Sequence, residues 1–479
     1  MKNIFTQSND MSAEYCCTIV RIGEITPIEN TDFLATTELN GRTIVIRKDQ
    51  VKQGDVMFYA SNQSALNADF LRANSLFEEK TLNADPEKKG YFNKYGCVRM
   101  VKLRGIVSMG YIFSLDELKN YNSEIDITVE ELEALVDTDF DEVCGKLFVK
   151  AFVPPMPNNG HGSTGQRSVR KGKLFDRMVN GQISRHYDTA QLERNMHRVQ
   201  PTDTVAITVK LHGTSIYIGN VIVKKPLLGG VYARIFNRLP KWLQFTRKGY
   251  DVVFASRKNI LNGSIGSDIE NVLCEYREPY KLIKDYIPRN TTIYGEVIGY
   301  KPNMQKMVQK GWDYGYPCGY WALMIYRVKY HDKHVVKEYD VEEVRKFTLD
   351  LYDALERAYG SEVASHIRPM DLLYHGTLQD FYPDIPVDDN WHSAVLARLK
   401  MEKRFGMEQN EPLCKNKVPR EGIVLRIDND AIPEAFKLKC LKFYSKETDM
   451  IDKGEIEDSE MYERYGDSSF FFINNSRII

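Results

Sequence analysis

Residues 153–173 read VPPMPNNGHGSTGQRSVRKGK. The prolines remove backbone donors, the glycines and asparagines favour turns, and the second half is basic. Such a run has the composition of a linker, so the chain reads as two folding problems rather than one. At 479 residues and 43% hydrophobic content there is material for more than one core. The predicted organisation is a β-rich domain over 1–150, a linker over 151–173, a mixed α/β domain over 174–445 and a tail over 446–479. Gly160, Gly162 and Gly165 form a G-x-G-x-x-G inside the linker. A dinucleotide site needs that pattern between a strand and a helix. Here prolines precede it and no helical period follows, so it is read as linker.

The first domain carries strand signals. FLATTELNGRTIVIRK alternates on both sides of Asn40-Gly41, the strongest short hairpin signal. DVMFYAS and VRMVKLRGIVSMGYIF add strands, and the lengths suit a small OB-like β-barrel. Lys102 and Arg104 are two apart and are expected on one strand face, as a solvated edge or as contacts to a nucleic-acid backbone. Beyond it, Thr128 and Glu131 have capping-box spacing.

From residue 174 strands alternate with helices: TVAITVKLHG, YDVVFASRK, TTIYGEVIGY, YWALMIYRVKY, EGIVLRID and EAFKLKCL read as strands. Asp340 and Glu343 begin a helix whose stripe is Val344, Phe347, Leu351, Ala354 and Leu355 and whose stop is Gly360. Five charged segments punctuate this region: Lys210 in KLHGTS, Arg257 in ASRK, Glu296 in YGEV, Glu421 in REGIVLR, and Lys437 with Lys439 in KLK. Each alone is commonplace; their order is not.

In that order the segments resemble the covalent nucleotidyltransferase superfamily of ATP-dependent ligases and capping enzymes. Lys210 matches its nucleophile, Glu296, MIYRV, EGIVLR and KLK its later motifs. DNA ligases and capping enzymes usually carry Asp at the third position of the nucleophile motif, where this chain has His212. K-x-H-G-T is similar to the RNA ligases that seal nicks in duplexes, and VKLRGIVSMG with EVCGKLFVKAFVPPMP looks like a branch with an N-terminal OB module.

The resemblance implies an α/β (α+β) catalytic domain of two antiparallel sheets with flanking helices. It implies an ATP-dependent RNA ligase forming lysyl-AMP on Lys210 and joining a 3′-OH to a 5′-phosphate. ATP would meet Lys210, His212, Gly213, Arg257, Glu296, Tyr326, Glu421, Lys437 and Lys439. Glu296 and Glu421 would orient Mg²⁺ or Mn²⁺, and Tyr326 would stack on the base, a role Tyr320 and Trp321 also offer. The partner implied is a nicked RNA or an RNA-containing duplex. The alternatives are a DNA ligase, a capping guanylyltransferase, or a non-catalytic OB-fold RNA-binding protein.

The chemistry is consistent residue by residue. An amine attacks phosphorus only when unprotonated, and a free lysine near pKa ~10.4 is almost wholly charged at neutral pH. Lys437 and Lys439 share a strand face and are expected to crowd Lys210 with positive charge.

Net charge is −1, so affinity for nucleic acid has to come from local patches. The densest is 221–250, with seven basic residues and no acidic one, among them Arg234, Arg238 and Lys241, interleaved with Phe236, Trp242 and Phe245. It reads as a nucleic-acid contact, a membrane-surface or partner contact, or a solvated loop. His331 and His334 lack a third ligand nearby and read as a surface turn. The eight cysteines include no C-x-x-C pair, no apolar run is long enough to span a bilayer, and MKNIFTQSND is no secretory leader. A cytoplasmic location without membrane contact is expected.

Overall fold

The structure is a computed structural model that describes residues 4–9, 11–152, 174–183, 189–257, 259–332, 335–428 and 434–453. The glycine pattern at 160–165, most of the linker, His334 and the end of the tail lie outside the described residues. The chain divides into two compact units, one built on Met1–Pro155 and the other on Met156–Lys446.

In the first unit, β1 (Cys17–Arg21), β2 (Leu34–Leu39), β3 (Arg42–Arg47), β4 (Val56–Ala60), β5 (Met100–Leu103), β6 (Ile106–Met109) and β7 (Tyr111–Phe113) carry the fold. β4 lies between β1 and β7. Alternation sends Val20, Met57 and Tyr59 into one core with Ala35, Ile44 and Ile46, and Ile19 and Phe58 into a second, aromatic core with Phe70, Phe113 and Phe140. Burial on both faces is why VMFYA is nearly all apolar. Asn40 (φ 51°) and Gly41 (φ 72°) turn the β2–β3 hairpin as its sequence predicts.

Arg104 departs from expectation. β5 ends at Leu103, and Arg104 (φ 51°) with Gly105 (φ 87°) forms a second tight turn into β6. Lys102 and Arg104 are both exposed, but one lies on a strand and the other at a hairpin tip, so they do not share a face. The physical reason is the left-handed Arg-Gly pair, which matches the strand twist as Asn-Gly does. Thr128 and Glu131 close the capping box of α1 (Val129–Glu133).

The second unit contains two sheets. β8 (Thr204–Lys210), β9 (Thr214–Pro226), β10 (Thr246–Ser256), β11 (Thr291–Gly299), β12 (Trp321–His331), β13 (Leu372–Thr377), β14 (Gly422–Ile427) and β15 (Ala435–Lys439) are its main strands. One sheet has the order β10-β9-β11-β12, extended by Val336–Glu338; the other has β15-β14-β8-β13 with Ala190–Gln191 beside β15.

Against the first sheet pack α2 (Cys274–Ile283) and α3 (Val341–Tyr359), burying Ile216, Ile218, Phe254, Ile293, Val297, Leu323 and Ile325. The Asp340 carboxylate accepts from Glu343 N (2.7 Å), and Glu343 accepts from Asp340 N (3.1 Å). Thr348 joins the buried stripe of α3, its hydroxyl donating to Val344 O (2.8 Å), which lets a polar residue occupy a core position. Opposite, Arg426 on β14 reaches Glu338 (3.9 Å) and donates to Tyr339 O (2.7 Å). It is further held by Asp428, which also accepts from Val341 N at the start of α3 (2.9 Å). These buried charges tie the two sheets together at one end. Asp340→Ala should lower unfolding stability by about 1 kcal/mol, read as a reduced midpoint in urea with an unchanged slope.

Candidate active site

The site forms at the opposite end from Arg426, and the strand ladders assemble it. Lys210 closes β8 opposite Gly422 on β14, and Gly422 lies opposite Lys439 on β15. Directly opposed residues point to the same face, so the two lysines flank a position with no side chain. A Cβ at Gly422 would lie 2.0 Å from Leu438 O, and its φ of 152° suits glycine. Into this gap comes Glu421. Its Oε1 is 2.7 Å from Lys210 Nζ and 3.5 Å from Lys439 Nζ. Lys437, on the same face of β15 one row further on, is buried opposite Val424.

Thus the direct ionic partner of Lys210 is a carboxylate, which the reading as a crowd of cations did not include. Burial opposes ionisation of Glu421, but Lys210, Lys439 and His212 outweigh it and hold the carboxyl well below the usual range.

The turn after β8 crosses to the other sheet. Gly213 N donates to Glu296 Oε1 on β11 (3.0 Å), and a Cβ at Gly213 would come within 2.4 Å of Val297 O. Burial, with Glu421 nearby, pushes the Glu296 carboxyl up to about 7, against the pull of Lys210, His212 and Arg257. Two neighbouring carboxylates are thereby driven apart in acidity, a pattern of functional sites. Arg257 follows β10, within electrostatic reach of Glu296 and the Tyr326 hydroxyl.

Of the three candidate aromatics, Trp321 lies in the helix-side core and Tyr320 stacks on His366 (4.2 Å between ring centroids). Tyr326 lies on the face that carries Glu296. It occupies the extra position where the β11–β12 register shifts, and its hydroxyl is 3.1 Å from the Ser215 hydroxyl. Burial raises its hydroxyl above the ordinary tyrosine range.

The sequence reading missed the supports of the turn. Tyr314 accepts from His212 N (3.0 Å) and donates to His212 O (3.1 Å), and Gln309 donates to Gly213 O (2.7 Å). The His212 ring packs in a three-ring cluster with Trp312 (4.4 Å) and Phe443 (5.1 Å), the latter from α4 (Leu441–Asp452). That cluster brings His212 Nδ1 to 3.6 Å from Glu421 Oε2. The only available signal was the aromatic density of GWDYGYPCGYW between two motifs.

Lys210, His212, Gly213, Arg257, Glu296, Tyr326, Glu421, Lys437 and Lys439 are therefore gathered around the two facing sheets. Arg234, Arg238 and Lys241 are not; they lie beyond the far end of β9. Lys102 and Arg104 belong to the first unit.

Comparison with known proteins agrees with this architecture. A family profile for RNA ligase matches residues 203–443, and an OB-fold domain profile matches 16–115. The chain belongs to the RNA ligase family. It is similar in fold to solved RNA ligases of Naegleria gruberi. One, solved with ATP and Mn, has 16% identity and a TM-score of 0.54, covering 91% of this chain and 100% of that one. An apo mutant has 18% identity and a TM-score of 0.53 over 92% and 100%, and a mutant with AMP and Mn 17% and 0.52 over 90% and 98%. No curated protein sequence matches. Among the described residues no helix is long and apolar enough to cross a membrane.

The Glu296 carboxyl is raised from 4.5 in the unfolded chain to about 7, so folding favours its protonated form. The associated stability is complete below pH ~4.5 and is lost as pH rises through about 7. Glu296→Gln in EDTA should therefore melt higher relative to wild type at pH 8 than at pH 5.5. A difference that does not grow with pH in differential scanning fluorimetry would contradict this.

Proposed function

We propose that this RNA ligase joins 3′-OH and 5′-phosphate ends of breaks held in a duplex, using ATP and a covalent lysyl-AMP on Lys210. The observation that carries the reading is the contact of Lys210 with Glu421 (2.7 Å), shared with Lys439 (3.5 Å), beside the Glu296-bound Gly213 turn. The Naegleria neighbours solved with ATP or AMP and Mn add support.

In the first step the Lys210 amine attacks the α-phosphorus of ATP. An N–P bond forms, and the bond to pyrophosphate breaks. Attack needs the lone pair, so the Lys210–Glu421 ion pair has to open and the ammonium has to release its proton to solvent. Lys437 and Lys439 offset charge on the phosphates as pyrophosphate departs. Arg257 binds the nucleotide, and Tyr326 stacks on the base from its bulge. In the second step a 5′-phosphate oxygen takes the adenylyl group, the N–P bond breaks, and the amine recovers a proton. A 3′-hydroxyl then attacks that 5′-phosphorus and AMP leaves.

Glu296 and Glu421 suit a divalent metal. Mutual repulsion and burial already drive one of them toward protonation, and Glu421 Oε2 has no hydrogen bond among the described residues. The two carboxylates would give such a metal oxygen donors, the kind that Mg²⁺ and Mn²⁺ take together with substrate phosphates. Mg²⁺ or Mn²⁺ held there would stabilise negative charge on the reacting phosphate.

Lys102 and Arg104, exposed on the β5–β6 hairpin, are assigned to phosphates of the same substrate. His212 is assigned to Glu421, which it holds ionised.

Lys210→Ala should abolish covalent labelling by α-labelled ATP; residual labelling would reject Lys210 as nucleophile. Labelling by GTP instead would favour a capping enzyme. A nick-sealing assay with RNA or DNA in each strand position defines the substrate, and sealing confined to all-DNA nicks would favour a DNA ligase. Tyr314→Phe, which removes one oxygen from two backbone contacts, should slow AMP transfer about tenfold with little change in the KM for ATP.

A further inference from the structure

We propose that the tip of the β9–β10 arm is a second RNA-binding surface, gripping the substrate duplex about one helical turn away from the break. This rests on the ligase reading above and extends it to a part of the substrate remote from the reacting ends.

β9 leaves the turn at Thr214 and runs 13 residues to Pro226, paired with β10 from Ile216 opposite Ser256 to Pro226 opposite Thr246. At ~3.3 Å per residue the arm reaches up to roughly 40 Å from the turn. Its end is a folded cap rather than a solvated loop. A short helix, Gly230–Ile235, leads to Phe236, which is fully buried against Phe175 (5.3 Å) and Tyr232 (5.7 Å). Asn237 accepts from Phe175 N (3.1 Å) and donates to Ile265 O (2.8 Å), and Tyr232 donates to Leu243 O (2.7 Å). The surface is therefore built before any ligand arrives, which limits the ordering cost of binding.

That surface matches a polyanion. Arg234, Arg238, Lys241, Arg247 and Lys248 are all exposed, and none forms an ion pair among the described residues. Where the cap joins the distal end of β9, a pocket of about 320 Å³ is lined by Arg177, Lys224 and Lys225, and Asp251 takes up Arg177 (2.7 Å) and Lys225 (3.7 Å). The five exposed cations have no such acidic partner among the described residues. Trp242 (73% exposed) and Phe245 (55% exposed) stand among the tip cations and offer faces for stacking on bases or sugars. Exposed Leu228 and Val231 beside them would instead suit an anionic lipid surface, and the test separates the two.

The ~3.4 Å per base pair of B-DNA is an upper bound for an A-form RNA duplex, so an arm of that reach spans at least roughly 12 base pairs. The experiment uses the full chain in EDTA without ATP, and nicked RNA duplexes with arms of about 6 or about 24 base pairs on each side. Wild type is compared with an Arg234→Ala, Arg238→Ala, Lys241→Ala, Arg247→Ala variant and, separately, with Trp242→Ala.

Fluorescence anisotropy should show the fourfold variant losing about tenfold or more in affinity for the long duplex, with the salt slope reduced by roughly 3 and the short duplex unaffected. Trp242→Ala should lose affinity for the long duplex without changing the salt slope. Equal affinities of variant and wild type for the long duplex would overturn the proposal, as would equal losses on both lengths. Loss of binding to phosphatidylserine vesicles with RNA affinity unchanged would also overturn it and reassign the tip to a lipid surface. Failure of wild type to take up AMP, with the length-dependent loss intact, would count for this surface and against the chemistry above.

Discussion

One buried carboxylate between two lysines organises the catalytic unit. Glu421 is almost fully enclosed, and a lone charge there would be prohibitive. Lys210 and Lys439 make it tolerable, and it in turn fixes both ammonium groups in a narrow gap. The gap exists because Gly422 has no side chain, and the gap is aligned because β8, β14 and β15 are adjacent in one sheet. Removing either partner of such a pair leaves an uncompensated charge, so the contact constrains the fold itself.

The sheet that carries Glu296 contributes by crossing rather than by pairing. Glu296 holds the Gly213 amide, while Tyr314 and Gln309 hold the carbonyls on either side of it. The turn after β8 is thus held by a strand of the other sheet and by the loop that follows that strand. The aromatic cluster around His212 draws on α4, so the helix that follows β15 also borders the site.

Much of this was legible in the chain. Asn40-Gly41 and the Asp340–Glu343 box are local signals, decided by a few neighbouring backbone angles, and they read true. Most catalytic-domain strands were visible because an apolar run was flanked by turn residues; β13, LLYHGT, lacks such a run and was not read as a strand. What failed was non-local or atypical. Arg104 takes a left-handed turn that arginine rarely signals. Thr348 is buried because its hydroxyl bonds within its own helix. The pairing of Lys210 with Glu421 depends on a ladder between segments 211 residues apart, and Trp312, Tyr314 and Phe443 reach His212 only through tertiary folding. Motif order identified the charged residues, but it carried no information on which charge would touch which.

The Arg426 tie has a mechanical corollary. The side chains of Arg426, Glu338 and Asp428 are enclosed and fasten the two sheets at the end remote from Lys210. Two plates fastened along one margin open like a book held at its spine. The margin that carries Lys210 and Lys439 is left without that tie, and on the proposed chemistry it is the side on which a nucleotide would enter.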